Sequence, residues 1–248
     1  MVERSDRASV ATFFVDGTLV GGEVVTLSED AAHHTRVRRI PPGDTVRLTN
    51  GAGTRAVAEL VQPSGRRDVA ARVAETESVA RPAPIHLRVP IADRDRMLWL
   101  GEKATELGIT TWQAVHFRRS ASVSPRGEGS AFAQKLRARM IGAIEQCGGA
   151  WLPEVLPEVS LEQLALDHSH AGVVLDSHGA PILSALSGPA GAVAIVLGPE
   201  GGLEPDELEL LGGRGWRSVR LAPTTLRFET AAIAAVSIAR AITLTQEP

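Results

Sequence analysis

The sequence predicts an α/β protein with a parallel sheet, preceded by a smaller β-rich unit. From residue 85 onwards, short apolar runs alternate with segments of helical periodicity, and this alternation is typical of a parallel sheet. In the first unit the apolar runs follow one another closely, and Asn50-Gly51 is a hairpin-turn signal. Glu77–Pro84 (ESVARPAP) has the composition of a linker. We therefore expect two domains, at 1–78 and 79–248.

The first unit combines strand signals with one short helix. The segments VATFFV and GEVVTL indicate strands, and DTVRLTNGAGTRAVAELV indicates a hairpin. Ser28–Arg39 predicts a helix that is capped by Ser28 and stopped by Pro41-Pro42. The helix carries histidines and arginines, namely His33, His34, Arg36, Arg38 and Arg39. Two alternatives stay open for these residues: a solvated helix end, or a patch that contacts phosphate groups.

The second unit is predicted to hold five strands and four helices. The strands are IHLRVP, TWQAVHF, GVVLD (172–176), AVAIVL (192–197) and WRSVRL (216–221). The helices are Arg94–Leu107, Phe132–Cys147, a segment from about Pro205 to about Leu211, and Ala231–Leu244. The last helix is apolar on most faces, which indicates burial on more than one side and possible contact with a second subunit.

The most distinctive stretch is Val193–Leu203 (VAIVLGPEGGL), where a buried strand is followed by three glycines. Glycine permits close approach of the backbone to a ligand, because it lacks a Cβ and tolerates positive φ. The stretch places Glu200 at the carboxyl end of a predicted parallel strand, where open α/β sheets bind ligands. A tight strand-to-helix turn without a ligand is the alternative.

Composition limits the function classes. The net charge of −3 means that a nucleic-acid partner needs a local basic patch. A single cysteine, Cys147, excludes an internal disulfide and fits a reducing compartment. No apolar run has the length of a membrane span, and MVERSDRASV lacks the apolar core of a signal peptide. We expect a cytoplasmic protein without a membrane partner.

Several chemistries have no motif support. The glycines at 198, 201 and 202 do not match G-x-G-x-x-G, and no phosphate-binding G-x-x-x-x-G-K-[ST] is present. The sequence also lacks C-x-x-C, H-E-x-x-H and G-x-S-x-G. We therefore predict no metal site and no serine-histidine-aspartate triad.

Four segments carry a family resemblance: HHTRVRR, EKATELGIT, IVLGPEGGLEPDEL and LAPTTLRFETAAIAA, in this order. Together they make the chain similar to the RsmE family, ribosomal RNA uracil-N3 methyltransferases of the SPOUT superfamily. The resemblance implies a PUA-like β-barrel that binds RNA and an α/β domain with a deep trefoil knot. It further implies S-adenosyl-L-methionine as cofactor, a homodimer, and 16S ribosomal RNA or the assembled small subunit as substrate.

The resemblance also implies which residues bind the cofactor. They belong to three loops: one after the strand GVVLD, one at Leu197–Gly202 and one at Leu221–Leu226. The implied residues are Leu175, Asp176, Leu197, Gly198, Pro199, Gly201, Gly202, Leu221, Ala222 and Leu226. The third loop departs from the family pattern at Ala222, Thr224 and Thr225, and Thr12 replaces an arginine of that pattern.

Glu200 and Arg227 match polar positions of the family's motifs and are the candidate catalytic residues. Uracil N3 carries a proton, so Glu200 is a candidate base if burial raises its pKa, and Arg227 is a candidate stabiliser of negative charge on a carbonyl oxygen. The alternative is that Glu200 only anchors loop amides and Arg227 only pairs with Glu229. The candidate RNA-binding residues are basic: His34, Arg36, Arg38, Arg39, Lys103, Arg118, Arg119 and Arg126. Two other readings stay open, a different target nucleotide and a non-catalytic RNA-binding relative.

Overall fold

The computed structural model describes residues 10–61, 69–120, 125–186 and 191–245. The chain forms two compact units. The first takes in the chain up to Arg81 together with Ile144–Leu152, and the second holds Pro82–Ala143 and the chain from Pro153 onwards. Most of the N-terminal segment MVERSDRASV and residues 121–124 of the basic loop lie outside the described residues.

The first unit contains a five-stranded sheet and one helix. Its strands are β1 (Thr12–Phe14), β2 (Val24–Thr26), β3 (Thr45–Thr49), β4 (Thr54–Val61) and β5 (Ala70–Ser78), and the helix α1 is Glu29–Val37. The spatial order is β1-β3-β4-β5-β2. The β1–β3 pair is parallel and the other pairs are antiparallel.

Alternation of side chains explains this sheet. In β4 the small and apolar residues Ala56, Ala58 and Leu60 point into the core, and Phe13 of β1 is fully buried in the same cluster. The predicted β3–β4 hairpin is present, and its turn is stabilised by Asn50, whose Oδ1 accepts hydrogen bonds from the amides of Ala52 and Thr54.

A distant segment completes the first unit. Within Ile144–Leu152, Glu145 accepts a hydrogen bond from the amide of Phe14 at 2.8 Å, and burial raises the pKa of the Glu145 carboxyl. Trp151 donates its indole N–H to the carbonyl of Val79 at 3.2 Å. Its ring occupies the space that a side chain at Gly53 would fill. No local pattern in the sequence indicates this association, because it depends on tertiary packing.

The second unit is built on a six-stranded sheet in which every neighbouring pair is parallel, as the alternation of strands and helices predicts. Its strands are β6 (Ile85–Pro90), β7 (Thr111–His116), β8 (Glu154–Ser160), β9 (His170–Pro181), β10 (Ala192–Leu197) and β11 (Arg217–Arg220), and their spatial order is β11-β9-β10-β6-β7-β8. The helices are α2 (Arg94–Glu106), α3 (Gly129–Cys147), α4 (Ile182–Ala185), α5 (Pro205–Gly213) and α6 (Phe228–Leu244). No helix within the described ranges is long and apolar enough to cross a membrane.

Two features of this sheet determine the positions of the loops at the carboxyl ends of its strands. All residues of β10 are buried, so its carboxyl end leads directly from the core into the glycine-rich loop. The pairing of β9 with β11 jumps from Val174 opposite Ser218 to Ala180 opposite Val219. Residues 175–179 therefore loop out of the β9–β11 ladder, and the backbone of β11 passes so close to Gly179 that any side chain there would clash.

Candidate cofactor site and active site

One cavity of about 590 Å³ lies where β9, β10 and β11 reach their carboxyl ends. This volume lies within the range of small-molecule sites, about 300–1,000 Å³. Three loops line it, together with the start of α6. The lining residues of the loops include Leu175, Asp176, Ser177, His178, Leu197, Gly198, Pro199, Glu200, Gly202, Leu221, Ala222, Thr224, Thr225, Leu226 and Arg227.

The first loop is fixed by Asp176. Its Oδ2 accepts a hydrogen bond from the Ser218 hydroxyl at 2.7 Å, and its Oδ1 accepts one from the amide of His178 at 3.1 Å. Partial burial by itself would raise the pKa of Asp176, but these hydrogen bonds outweigh it and hold the pKa below the usual value. The carboxylate thus stays charged while its oxygens fasten the loop to β11.

The second loop turns sharply at its glycines. The amide of Gly202 donates to the carbonyl of Pro199 at 2.8 Å, and Gly202 has a φ of +75°. A Cβ at Gly198 would lie 2.9 Å from the Leu203 side chain. Both positions therefore require glycine, one for its backbone angle and the other for space.

The third loop ends at Arg227, which is the N-cap residue of α6. The Arg227 side chain is exposed at the cavity, whereas Phe228 after it is buried and anchors the helix. Within the described residues Arg227 forms no ion pair with Glu229, so the alternative role of pairing with Glu229 is not realised. The Oε2 atom of Glu229 is instead buried without a hydrogen-bond partner in the described part of the chain.

Glu200 is held by a residue that sequence reasoning missed. Arg96, in the first turn of α2, donates to the Glu200 carboxylate at 2.8 Å, and both residues line the cavity. Each side chain is 40% exposed. The burial that a base role for Glu200 requires is therefore absent in this state of the protein, and the carboxylate is engaged with a guanidinium rather than with loop amides.

The structure gathers the predicted cofactor residues at the cavity, except for Gly201, which does not line it. A Cβ at Gly201 would instead face Arg119, at 3.1 Å from the Cβ of that residue. Arg96, His178 and Arg220 line the cavity and were not predicted. Arg96 lies on a neighbouring helix, His178 lies in the first loop and Arg220 ends β11, and no motif in the sequence marks them.

The candidate RNA-binding residues of the first unit lie at the end of α1. Arg36, Arg38 and Arg39 are exposed, and no ion pair within the described residues involves them. Arg39 has a φ of +53°, which turns the chain sharply after the helix. The ring of His34 meets Phe13 edge-on at 5.6 Å, so this histidine also packs against the core.

The candidate RNA-binding residues of the second unit are all paired with carboxylates. Lys103 donates to Glu102 at 2.8 Å and to Glu106 at 2.7 Å, and these bonds raise its pKa. Arg126 pairs with Glu128 at 3.0 Å. Arg118 and Arg119 pair with acids at the start of α5. Their cationic groups are thus partly neutralised within the protein.

Two family models match the chain. The model described as "RNA methyltransferase domain" matches residues 80–240, and the model described as "RNA methyltransferase PUA domain" matches residues 27–73. The first match covers most of the second unit and more than half of the chain. The chain that forms this fold and cavity therefore belongs to the RNA methyltransferases that carry a PUA domain.

Individual relatives agree with this class. Ribosomal RNA small subunit methyltransferase E of Mycobacterium tuberculosis is 32% identical over 241 residues, which cover 93% of this chain and 91% of the relative. The protein of the same name from Aquifex aeolicus is 28% identical over 88% of this chain and 94% of the relative. The chain belongs to the ribosomal RNA small subunit methyltransferase E family.

Solved structures share the fold. A putative methyltransferase of Legionella pneumophila, in complex with bound SAM, superposes with a TM-score of 0.81 at 30% identity and covers 94% of this chain and 97% of that chain. Ribosomal RNA small subunit methyltransferase E of Neisseria gonorrhoeae, bound to S-adenosyl methionine, has a TM-score of 0.82 at 25% identity, covering 94% and 98%.

Proposed function

We propose that this protein transfers a methyl group from S-adenosyl-L-methionine to N3 of one uridine in the 16S RNA of the small ribosomal subunit. The observation that carries the proposal is the convergence of three loops on one cavity in a chain of this family. The substrate class is taken from the relatives, which are named for small-subunit ribosomal RNA. The N3 atom of uridine as acceptor follows from the resemblance of the sequence motifs.

The cavity fits the cofactor chemically. Its wall combines apolar side chains such as Leu175, Leu197 and Phe228 with charged groups of both signs, such as Asp176 and Arg220. A flat adenine suits the apolar wall, and a zwitterionic methionine end suits charges of both signs. Gly202 adds open space, because a Cβ there would meet no atom within 4 Å.

S-adenosyl-L-methionine supplies an electrophilic methyl group on a sulfonium, and its transfer to nitrogen is an in-line displacement. The protein has to align the two reactants, and orientation of this kind contributes about 7–11 kcal/mol to lowering a barrier. The three loops do this by holding one reactant against rigid strand ends. A paired uracil hides N3 in its hydrogen bond, so the base enters unpaired or flipped out.

Arg227 is the residue assigned to the developing charge. Loss of the N3 proton leaves negative charge on the uracil ring, and Arg227 lies at the cavity without an ion pair in the described part of the chain. Glu200 is engaged by Arg96, so it would accept the proton only after that pair opens. We therefore give Arg227 the larger role and keep Glu200 as the candidate proton acceptor.

The test is nucleoside analysis of small-subunit RNA after incubation with the protein and cofactor. We expect 3-methyluridine with the wild-type chain. For Arg227→Ala we expect a single-turnover rate lower by about 10²–10³-fold with cofactor binding retained, because one charge-stabilising donor is lost. Arg217→Ala, an exposed arginine of β11 outside the cavity, is the matched control. A methylated ribose or another base would assign a different target, and absence of cofactor binding would identify a non-catalytic relative.

We further propose a homodimer that works in the cytoplasm and assembles through α6. One face of this helix is buried in its own unit, yet Ile233, Ile238 and Ile242 are only half-buried and Leu244 is 56% exposed. A partner subunit would cover these side chains. Sedimentation equilibrium should give twice the chain mass at micromolar concentration, and a monomer there would count against the assignment. The trefoil knot implied by the motifs likewise stays a prediction.

A further inference from the structure

Two consecutive arginines after β7, Arg118 and Arg119, contact the cofactor side of the second unit. Arg119 donates from Nη1 to the carbonyl of Gly201 at 3.1 Å, and its Nε lies 3.4 Å from the Glu204 carboxylate. The Cβ of Arg119 would be 3.1 Å from a Cβ at Gly201. The second cofactor loop thus packs directly on this side chain.

Arg118 contacts the helix that follows the loop, not the loop itself. Its Nη1 donates to Glu204 at 2.9 Å and to Asp206, and its backbone amide donates to the buried carboxylate of Glu207 at 3.0 Å. The same Glu207 accepts a hydrogen bond from the amide of Glu204 at 2.8 Å. Arg118 therefore fastens the first turn of α5, whereas Arg119 fastens the loop before it.

The charges around the pair disfavour a phosphate contact. Glu204, Asp206 and Glu207 carry three negative charges against the two positive charges of Arg118 and Arg119, which leaves a local charge of −1. An approaching RNA phosphate would have to displace a carboxylate that is already paired. Phosphate-contacting surfaces of RNA-binding proteins have the opposite sign.

We infer that Arg119 is a positioning residue for the second cofactor loop, and not an RNA contact. The inference rests on the proposed function, because it concerns binding of S-adenosyl-L-methionine to that loop. Arg119 holds the carbonyl of Gly201 and so fixes the turn between Gly198 and Gly202 before the cofactor arrives. A loop that already has its binding conformation loses less entropy on binding, and affinity rises accordingly.

The experiment compares Arg119→Ala with Arg118→Ala in the full-length protein. The two variants remove one arginine each from the same acidic surroundings, and only Arg119 contacts the loop. Calorimetry with S-adenosylhomocysteine should give a Kd about tenfold higher for Arg119→Ala, the value for a lost hydrogen bond to a charged group on a half-exposed side chain. For Arg118→Ala the Kd should stay within about twofold of wild type, as expected for exposed ion pairs.

A comparison of KM with kcat separates positioning of the loop from a purely structural role of Arg119. If Arg119 positions the loop, Arg119→Ala raises KM for the cofactor but retains kcat at saturating cofactor. Arg119→Lys recovers only part of the affinity, because one ammonium cannot match the guanidinium fork that reaches both Gly201 and Glu204. The salt dependence of RNA binding should be the same in wild type and in both variants.

Two outcomes would overturn the inference. One is unchanged S-adenosylhomocysteine affinity in Arg119→Ala, and the other is a fall of the RNA-binding salt slope by about one, which marks a lost phosphate contact. Both differ from failure of the proposed function itself, in which the wild-type protein would not bind S-adenosylhomocysteine at all.

Discussion

The arginines at the end of α1 and the arginines after β7 look alike in sequence but differ in the structure. Arg36, Arg38 and Arg39 are exposed, and within the described residues they have no acidic partner. Arg118 and Arg119 are also half exposed, at 58% and 50%, yet both are bound to carboxylates from the start of α5. Exposure alone therefore does not show whether an arginine is available to bind a phosphate group.

The difference shows what local basic composition can and cannot indicate. RRSASVSPRG and HHTRVRR are both basic in sequence, but the acids that neutralise Arg118 and Arg119 come from residues 204–207, far along the chain. The acids within α1 are Glu29 and Asp30 at its opposite end, where they suit the helix N-terminus. A basic patch is thus a property of the folded surface.

Of the predicted effects that test this comparison of the two groups of arginines, the largest is on RNA binding. We expect the triple variant Arg36→Ala, Arg38→Ala, Arg39→Ala to weaken binding to small-subunit RNA and to lower the salt slope by about two to three. Each lost phosphate contact removes about 0.7–0.9 from that slope. Filter binding over a salt series measures both quantities.

Arg118→Ala combined with Arg119→Ala is the matched comparison for that triple variant. It also removes neighbouring arginines, but from acidic surroundings, so the salt slope of RNA binding should not change. If the double variant loses as much slope per arginine as the triple variant, the contrast between the two regions is wrong.

Much of the fold could be predicted from the sequence. The strands IHLRVP and AVAIVL occupy the predicted residues as β6 and β10. AVAIVL is a continuous apolar run, which is typical of a buried parallel strand, whereas the apolar residues of IHLRVP alternate with His86 and Arg88. The strands β5 and β8 were not predicted. In β5 only Ala71 and Val73 are fully buried and the second half is exposed, while β8 is an edge strand that contains Pro157.

For the candidate site, the loops could be predicted from the sequence, but the contacts made by residues from other elements could not. The second loop was indicated by its own glycines after a buried strand, whereas the first and third loops were implied by the resemblance of the motifs. Arg96 had no such signal, because its position at the cavity depends on how α2 packs near Glu200. Gly201 belongs to the second loop but does not line the cavity, and a Cβ there would face Arg119.

A smaller effect concerns protonation at the end of α1. Partial burial lowers the pKa of His34, and the positive charge of Arg38 and the neighbouring His33 lower it further. Arg38→Ala should therefore raise the pKa of His34, as followed by the NMR shifts of its ring protons. Arg47→Ala, an exposed arginine of β3, should leave the pKa of His34 unchanged.

The same shift has a defined sign for stability. The unfolded chain binds a proton on the His34 ring more readily than the folded chain does, so protonation of His34 lowers the free energy of unfolding. The contribution of His34 to stability is therefore fully present above its ordinary pKa of about 6.5, and it is lost as the pH falls below that value. A pKa of His34 that does not rise in Arg38→Ala would mean that the charge of Arg38 is neutralised, and that α1 resembles the segment after β7.

The return of Ile144–Leu152 to the first unit makes the chain pass between the units at three points, after Arg81, Ala143 and Leu152. Recombination at the linker would separate Trp151 from Gly53 and from the carbonyl of Val79, and Glu145 from the amide of Phe14. A half-buried indole and a carboxylate would then lose their partners. An exchange of the RNA-binding module that keeps these contacts therefore has to include a second stretch about sixty residues downstream as well.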